Sequence, residues 1–508
     1  MRIFFYLYFF TIFSILCFTL TFFLLTSNEL LDRDTINFEV VFMLNKEIEE
    51  QIDELVDQYF EKTLESLEKI IKIRSVMDKP KENMPFGEGP VKALIETLNI
   101  AKSLGFKVAN IDNYAGHVEY GNTGKLYAIL GHLDVVPEGD IEKWDTNPYE
   151  LTIKEGKMFG RGVSDDKGPS IGALYALKIA SELVDNPKNT IRVIFGTNEE
   201  NGSRCMKYYF TKEPYPFAAV TPDGTFPLVF AEKGNVSYLI SISLESNYHT
   251  RLVDIKAGTA VNVVPEKCTA IIETSKINEI TYLLDNFKNN CKLEYRVNGN
   301  NIEIITIGKS AHASTPHLGV NAVSCMLDLL TKIDFGSINW IFDILFEKLG
   351  KDVNGKGLDI YGEDKVSGNL TCNLGIVDLK DMNLSFVINI RYPIFMNVDM
   401  ITTQIKEALK GFKVEQVSHS KPLYVSRDSE LVKTLLRVYR SVTNDETPPI
   451  AMGGGTYART IPYGVAFGAT FPGEETGMHQ PNENWSLDSF KKFIKIYTRL
   501  IYVWLTEK

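Results

Sequence analysis

The stretch Ile191–Ser203, IRVIFGTNEENGS, decides the fold that we expect for this chain. Its apolar run from Ile191 to Thr197 is typical of a buried strand, and the Asn- and Gly-containing segment that follows is typical of a turn. Glu199 and Glu200 lie in that turn. Because ligands bind at the carboxyl ends of strands in an open α/β sheet, the pattern predicts two adjacent carboxylates at a crevice. A solvated acidic turn is the alternative for this segment taken alone.

Other segments place histidines and carboxylates at strand ends or in tight loops. The apolar strand Leu126–Leu130 ends in GHLD, where His132 and Asp134 share one face and the carboxylate could orient a metal-bound imidazole. Taken alone, Asp165, Asp223 and His479 each have an ordinary interpretation, as a helix cap, a turn residue and a loop histidine. Together they supply two imidazoles and three carboxylates, which suit two zinc ions sharing one carboxylate and leave Glu199 as general base. The predicted metal ligands are His132, Asp165, Glu200, Asp223 and His479.

Composition excludes some classes of protein. A chain of 508 residues with 44% hydrophobic residues can form two or three domains. A net charge of -11 argues against a nucleic-acid partner, which favours a basic surface. The six cysteines form no CxxC pair, so we expect buried thiols in a reducing compartment and no disulfide framework.

The N-terminus differs from the rest of the chain. Residues 3–25 carry no charge and are long enough to cross a bilayer. A signal peptide fits less well, because no small-x-small cleavage site follows. Two alternatives stay open: a membrane anchor, with the acidic stretch after it favouring an outside location for the body, or a biological start at Met43 and a cytoplasmic protein.

The order of predicted elements indicates an α/β fold with a mixed central sheet flanked by helices. Short strands alternate with helical stretches between about Lys233 and Val425, the rhythm of an inserted α+β domain. We therefore expect four regions: 1–42 as the hydrophobic extension, 43–232 as the first part of a catalytic domain, 233–425 as an inserted lid, and 426–508 as the second part of the catalytic domain.

Six motifs carry a resemblance to a known family. In chain order they are GHLDVVP, GRGVSDDKGP, TNEENGS, TPDGTFP, GKSAHAS and GMHQPNE, at residues 131–137, 160–169, 197–203, 221–227, 308–314 and 477–483. Across the chain from about Met43, they resemble the dinuclear zinc peptidases related to aminoacylase, carboxypeptidase G and succinyl-diaminopimelate desuccinylase. Within that group the chain is most similar to the bacterial peptidase V dipeptidases, also called Xaa-His or carnosinase-like dipeptidases.

The resemblance implies a role for each ligand. It implies His132, Asp165 and Asp223 on one zinc ion and Asp165, Glu200 and His479 on the other, with Co²⁺ or Mn²⁺ as substitutes. It also implies that Asp134 orients His132, that Glu199 is the catalytic acid/base, and that a cis peptide follows Asp165.

The resemblance also implies a lid that completes the site within one chain, so that a monomer suffices. His312 matches the histidine that polarises the substrate carbonyl, and Asn262 and Arg391 match residues that bind the free carboxylate of the substrate. The planar fork of an arginine suits a carboxylate, although many arginines at strand ends only pair with surface acids. Gly454 and Gly455, in a run of three glycines, could offer N–H groups to the same carboxylate or form a plain turn.

These residues predict a zinc-dependent dipeptidase with small peptides as substrates and membrane contact only through residues 3–25. A deacylase of N-acyl amino acids or of succinyl-diaminopimelate on the same metal core is the alternative. A non-catalytic binding protein would be expected to lack a ligand or Glu199, and none is missing. A membrane-tethered receptor domain would explain none of the carboxylates.

Overall fold

The computed structural model describes residues 45–245 and 248–507. The predicted hydrophobic segment at residues 3–25, the alternative start at Met43 and the extension 1–42 lie outside these ranges. No helix in the described ranges is long and apolar enough to cross a membrane. Contacts divide the chain after Gln58, and the candidate site lies wholly within the unit that begins at Tyr59.

The helices follow the amphipathic patterns of the sequence. The first begins at Lys46 with Glu47 and Glu49 in its first turn, where the helix dipole favours acidic side chains. In chain order the described α-helices are α1 Lys46–Ile71, α2 Glu88–Ser103, α3 Lys167–Leu183, α4 Arg204–Tyr209, α5 Ile277–Asn286, α6 Ala322–Leu330, α7 Asn339–Leu345, α8 Val398–Ala408, α9 Glu430–Thr443 and α10 Leu487–Thr506.

The strands form two large sheets and two small ones among the described residues. In chain order they are β1 Lys107–Ile111, β2 Ala115–Tyr120, β3 Leu126–His132, β4 Thr152–Lys154, β5 Lys157–Phe159, β6 Thr190–Gly196, β7 Ala218–Thr221, β8 Val229–Glu232, β9 Gly234–Ser243, β10 Thr250–Ala257, β11 Lys267–Thr274, β12 Lys292–Asn298, β13 Asn301–Ile307, β14 Glu363–Asp364, β15 Gly368–Asn369, β16 Thr371–Lys380, β17 Asn383–Tyr392, β18 Lys413–Ser420, β19 Leu423–Tyr424, β20 Ile450–Met452, β21 Gly464–Ala466 and β22 Asn484–Ser486.

The first large sheet has the order β1-β2-β6-β3-β7-β21-β8-β19, with β20 also paired to β8. Its centre is parallel: β3 pairs with β6 and β7, while β2 pairs antiparallel with β6. Every residue of β6 is buried, which explains its continuous apolar run, since helices α3 and α10 pack against this sheet. The parallel register sets His132 opposite Gly196, so the segments that follow β3 and β6 emerge side by side. The expected mixed sheet flanked by helices is confirmed.

The second large sheet has the order β12-β13-β11-β10-β16-β17-β9-β18 and is antiparallel throughout the pairs described. Burial alternates along β11 and β13, because one face packs against helix α6 and the other does not. We propose that this sheet and its helices form the inserted domain. The short strand β19, within the predicted range 233–425, already pairs with β8 of the first sheet, so the chain returns a few residues before the predicted boundary.

The expectation of free thiols is wrong for one pair of cysteines. Cys291 and Cys325 form a disulfide across a sequence separation of 34 residues. Cys291 directly precedes β12 and Cys325 lies on α6, so the fold brings together two residues that no local spacing pattern relates. Within the described residues, Cys205, Cys268 and Cys372 are free and buried, as expected.

Candidate active site

Asp165 lies between the two histidines that the sequence predicts as metal ligands. Its Oδ1 is 3.0 Å from His132 Nε2, and its Oδ2 is 2.8 Å from His479 Nε2. On the His479 side, Glu200 Oε2 is 3.3 Å from the same nitrogen, and on the other side Asp223 Oδ2 is 4.0 Å from His132 Nε2. The structure therefore brings all five predicted ligands into one cluster, with one oxygen of Asp165 facing each histidine.

The donor atoms of this cluster fit a metal centre. Ligand atoms of His132, Asp165 and Glu200 all lie within 4.8 Å of one another, and so do those of His132, Glu199 and Asp223. Glu200 Oε1 is buried and has no hydrogen-bond partner within the described chain. Imidazole and carboxylate are ligands that zinc accepts. Glu199, expected to stay unligated, thus lies close enough to His132 and Asp223 to reach the same space.

Asp134 lies beside His132, the residue that it is predicted to orient, but its carboxylate makes its hydrogen bonds elsewhere. The Nδ1 atom of His132 lies 2.9 Å from the main-chain oxygen of Asp134 but 3.6 Å from its carboxylate. That carboxylate instead accepts hydrogen bonds from the backbone N–H groups of Glu199, at 2.9 Å, and Glu200, at 3.2 Å. Because Asp134 is fully buried, it fixes the turn after β6 against the end of β3. Both glutamates therefore depend on Asp134 for their position.

The loop that carries Asp165 is held by Glu483, a residue to which the sequence analysis assigned no role. The buried carboxylate of Glu483 accepts hydrogen bonds from the backbone N–H groups of Gly162, Ser164 and Asp165. It also accepts one from Arg161 Nη1 at 2.7 Å. Glu483 ends the GMHQPNE motif that contains His479, so one loop supplies a histidine and anchors the aspartate beside it. The position of Glu483 in the same motif as His479 is the sequence feature that could have indicated a role in the site.

The peptide between Asp165 and Asp166 is cis, as the resemblance implies. Asp166 turns away from the cluster, and its Oδ2 accepts a hydrogen bond from the backbone N–H of His132 at 2.9 Å. Lys167 follows, fully buried, and donates to the main-chain oxygens of Ile70 and Ile73 near the end of α1. Burial lowers the pKa of Lys167 to about 7. The two residues after Asp165 thus serve the packing of this loop.

Burial and mutual repulsion dominate the electrostatics of the carboxylates. Burial, with the charge of Asp165, raises the pKa of Asp223 to about 7. Burial, with the charge of Asp223, holds the pKa of Glu199 well above its usual range. Burial also opposes ionisation of Asp165, but the hydrogen bonds of His132 and His479 outweigh it and hold the Asp165 pKa below its usual value. A cation within the cluster would relieve this repulsion.

A cavity of about 660 Å³ joins the cluster to the second sheet. On the side of the first sheet it is lined by Glu199, Glu200, Asp223 and His479, among others. On the side of the second sheet it is lined by the residues that are predicted to contact the substrate. Three of them belong to that sheet and its loops, and two belong to the run of glycines at residues 453–455, which we call the glycine loop. These residues are Asn262, His312, Arg391, Gly454 and Gly455.

His312 and Asn262 lie on adjoining loops. Val263 and His312 form an isolated antiparallel bridge, and the Ala313 N–H donates to the Asn262 main-chain oxygen at 2.9 Å. Nδ1 of His312 lies 2.6 Å from Ser314 Oγ. Burial, together with the charges of Arg391 and His479, lowers the pKa of His312. The imidazole is therefore neutral at neutral pH and has one N–H available to a ligand.

Arg391 is buried at the end of β17. Its Nε donates to Asn389 Oδ1 at 3.0 Å and its Nη1 to the Gly453 main-chain oxygen at 3.3 Å. Burial, with the charge of Arg459, lowers its pKa to about 10, so the guanidinium stays charged at neutral pH. Within the described residues no carboxylate pairs with it, so Arg391 brings an unbalanced positive charge to the cavity.

The glycine loop packs closely against a second arginine. A Cβ on Gly455 would lie 2.3 Å from Arg459 Cζ, so no other residue fits there without a shift. Arg459 also donates to the Gly454 main-chain oxygen and pairs with the buried carboxylate of Glu232. The close backbone approach expected for Gly454 and Gly455 therefore serves this arginine, and both glycines also line the cavity.

The fold and the site define a class: α/β proteins with two large sheets and a cluster of candidate metal ligands in a cavity. A family model described as "Peptidase family M20/M25/M40" matches residues 128–503. The chain is 35% identical over 455 residues to "Putative dipeptidase YtjP" of Bacillus subtilis (strain 168), which covers 87% of this chain and 97% of that protein. It is 33% identical over 472 residues to "Putative dipeptidase SAB1611c" of Staphylococcus aureus, covering 90% and 99%. The chain therefore belongs to this peptidase family, and the suspected resemblance is confirmed.

Solved structures agree on the fold. Human carnosine dipeptidase 1 matches with a TM-score of 0.58 at 15% identity, covering 91% of this chain and 99% of that one. The dipeptidase Dug1p of Saccharomyces cerevisiae matches with a TM-score of 0.55 at 14% identity, covering 90% and 99%. The chain shares their fold.

Proposed function

We propose that this protein is a zinc-dependent dipeptidase that uses two metal ions per chain. The observation that carries the proposal is Asp165, which presents one carboxylate oxygen at 3.0 Å to His132 and the other at 2.8 Å to His479. A carboxylate that faces two imidazoles in this way suits a bridging ligand. His132 and Asp223 would complete one ion site, and Glu200 and His479 the other. The names of the dipeptidase relatives support the choice of substrate.

When bound, two zinc ions would lower the pKa of a shared water and polarise the scissile carbonyl. Glu199 is the residue of this chain suited to move the proton. It is next to Glu200, its backbone is fixed by Asp134, and burial raises its pKa. A carboxylate of this kind can accept a proton from the attacking water and return it to the leaving amine.

The second sheet supplies the groups that would hold the rest of the substrate. His312, neutral at neutral pH, would donate a hydrogen bond to the oxygen of the scissile carbonyl as negative charge develops on it. Arg391 would pair with the free carboxylate of the dipeptide, and Asn262 would add a hydrogen bond to it. Because His312 and Glu199 line the same cavity and come from the same chain, we propose that a monomer is sufficient for activity.

A deacylase of N-acyl amino acids or succinyl-diaminopimelate would use the same metal cluster, and the free carboxylate of its substrates would also suit Arg391. The two classes of substrate differ in the group that carries the scissile carbonyl, which is an amino acid in a dipeptide and an acyl group in the others. Assay of the zinc-loaded full chain on a panel of dipeptides, N-acetyl amino acids and N-succinyl amino acids tests the choice. We expect dipeptides to be hydrolysed at least tenfold faster. Faster hydrolysis of the acylated substrates, or no hydrolysis of any dipeptide, would refute the proposal.

A further inference from the structure

A block of four polar residues lies on one face of the second sheet, at the end of β17 that meets the cavity. Thr371 is paired with Arg391, and Asn373 with Asn389, across β16 and β17. All four side chains are buried, and the two asparagines are each 1% exposed. Direct cross-strand partners share a face of a sheet, so these side chains form one layer. Buried carboxamides need hydrogen-bond partners, and the partners of this layer identify its role.

Asn389 holds the arginine of the cavity. Its Oδ1 accepts the Arg391 Nε hydrogen bond at 3.0 Å. Its amide nitrogen donates to Asn235 Oδ1 at 2.7 Å and to Ser237 Oγ at 2.9 Å, both on the neighbouring strand β9. Three partners fix the carboxamide in one orientation, with its oxygen toward Arg391. The guanidinium is therefore held at Nε by the sheet and at Nη1 by the Gly453 main-chain oxygen, and its Nη2 group remains for a ligand in the cavity.

Asn373 and Thr371 hold the two loops that carry His312 and Asn262. The Asn373 amide donates to the main-chain oxygens of Val261 and Val263, at 3.0 and 2.9 Å, which flank Asn262. Thr371 donates to the main-chain oxygen of Ala313, next to His312, at 3.1 Å. The same layer thus supports each group of the second sheet that the proposed function assigns to substrate.

The absence of negative charge from this layer of four residues affects the charge that Arg391 can offer to a ligand. Arg459 has a carboxylate partner in Glu232, whereas the acceptors that Arg391 meets among the described residues are neutral. If residue 389 were an aspartate, it would neutralise Arg391 from inside the protein. A carboxamide offers an acceptor of the same shape without that charge. Asparagine at this position orients Arg391 and leaves its charge for a ligand.

We infer that Asn389 is a positioning residue for recognition of the substrate's free carboxylate, and that Asn373 supports the same recognition through the Asn262 loop. The inference rests on the proposed function in one respect, that the substrate carries a carboxylate bound by Arg391. It goes further by assigning substrate selectivity to a neutral carboxamide that does not itself contact the substrate.

The test is Asn389→Asp, assayed with a dipeptide and with the same dipeptide as its C-terminal amide. The new carboxylate would pair with Arg391 Nε and neutralise its charge, so we expect the ratio of kcat/KM for acid over amide to fall about 10- to 100-fold, the usual contribution of a charge-assisted hydrogen bond. The loss should lie in KM for the acid, with kcat changed less than about twofold. The ratio does not depend on the fraction of folded enzyme, because misfolding would reduce both rates equally.

Two further variants complete the test. Asn389→Ser removes the acceptor without adding charge, so its effect on the ratio should be smaller than that of Asn389→Asp. Asn383→Asp introduces the same change at an exposed position of the same strand and should leave the ratio unchanged. An unchanged ratio in Asn389→Asp, or an equal one in all three variants, would overturn the inference. If the wild type prefers N-acetyl amino acids, the proposed dipeptidase function fails, and the same ratio measured with N-acetyl amino acids and their amides still decides the role of Asn389.

Discussion

Replacement of Glu483 by glutamine should destabilise the protein strongly although it removes a single charge. Glu483 and Arg161 are each 1% exposed and are joined at 2.7 Å. The variant would leave the Arg161 guanidinium buried beside a neutral amide. It would also place an NH₂ group near backbone N–H groups that now donate to the Glu483 carboxylate, those of Gly162, Ser164 and Asp165.

The size of the effect follows from these contacts. Breaking a buried ion pair by removing one partner costs about 3–5 kcal/mol, because the remaining charge stays desolvated. We therefore expect the free energy of unfolding to fall by about that amount. Urea denaturation followed by tryptophan fluorescence is a suitable assay, since the buried Trp485 lies two residues from the site of change. Because Asp165 loses its anchor, zinc content of the purified variant should fall as well.

Two comparisons separate the ion pair from general damage. Glu475→Gln, an exposed glutamate of the same loop region, should change stability by less than about 0.5 kcal/mol. Arg161→Met combined with Glu483→Gln should be more stable than Glu483→Gln alone, because no buried charge then lacks a partner. A loss below about 1 kcal/mol in Glu483→Gln with normal zinc content would refute this account of the Asp165 loop.

Four further changes test other parts of the structure. Glu199→Ala should keep its zinc while turnover falls at least about 100-fold, measured by metal analysis and steady-state kinetics; full activity would end its assignment as general base. His479→Ala should lower bound zinc toward one ion per chain, and two retained ions would contradict its role. Arg391→Ala should raise KM for dipeptides far more than for substrates without a free carboxylate, and equal losses would make it structural. Burial, with the charge of Arg192, lowers the pKa of His117 to about 3. A free imidazole titrates near 6.5, so between pH 7 and 5 only the unfolded chain gains this proton. His117 should therefore lower the free energy of unfolding by about 2 kcal/mol over that range in the wild type. His117→Gln should lack this contribution, as urea denaturation at both pH values would show.

The sequence predicted the fold class and the cluster of ligands because both depend on local patterns. A continuous apolar run such as Ile191–Thr197 indicates a strand covered on both faces, and parallel strands bring their carboxyl ends to one edge. That rule was enough to predict that His132, Glu200 and Asp223 lie near one another. The return of the chain to the first sheet has no such local pattern: it falls at β19, just before the predicted boundary at residue 425.

Long-range partners were beyond the reach of sequence patterns. The Asp134 carboxylate is 3.6 Å from His132 Nδ1, whereas the Asp134 main-chain oxygen is 2.9 Å from it, a choice that the HxD spacing does not show. Glu483 meets Arg161 across 322 residues, and Cys291 meets Cys325 only after β12 and α6 are packed. A sequence shows that a carboxylate or a thiol is present, but its partner is determined by which distant segments pack together in the fold.

The balance of charge gives the strongest reason to place cations in this site. Six acidic side chains, buried or half-buried, lie in this site or next to it: Asp134, Asp165, Asp166, Glu199, Glu200 and Asp223. Two histidines oppose them, and Lys167, the buried lysine of the adjoining loop, directs its amine to Ile70 and Ile73 instead. Backbone N–H groups stabilise Asp134 and Asp166, but Glu200 keeps a buried oxygen without a partner in the described chain. Burial opposes the ionised form of these carboxylates, and positive charge, carried by protons or by metal ions, would offset that cost. Because a protonated Glu199 could not accept a proton from water, its proposed role as general base favours metal ions over protons at this site.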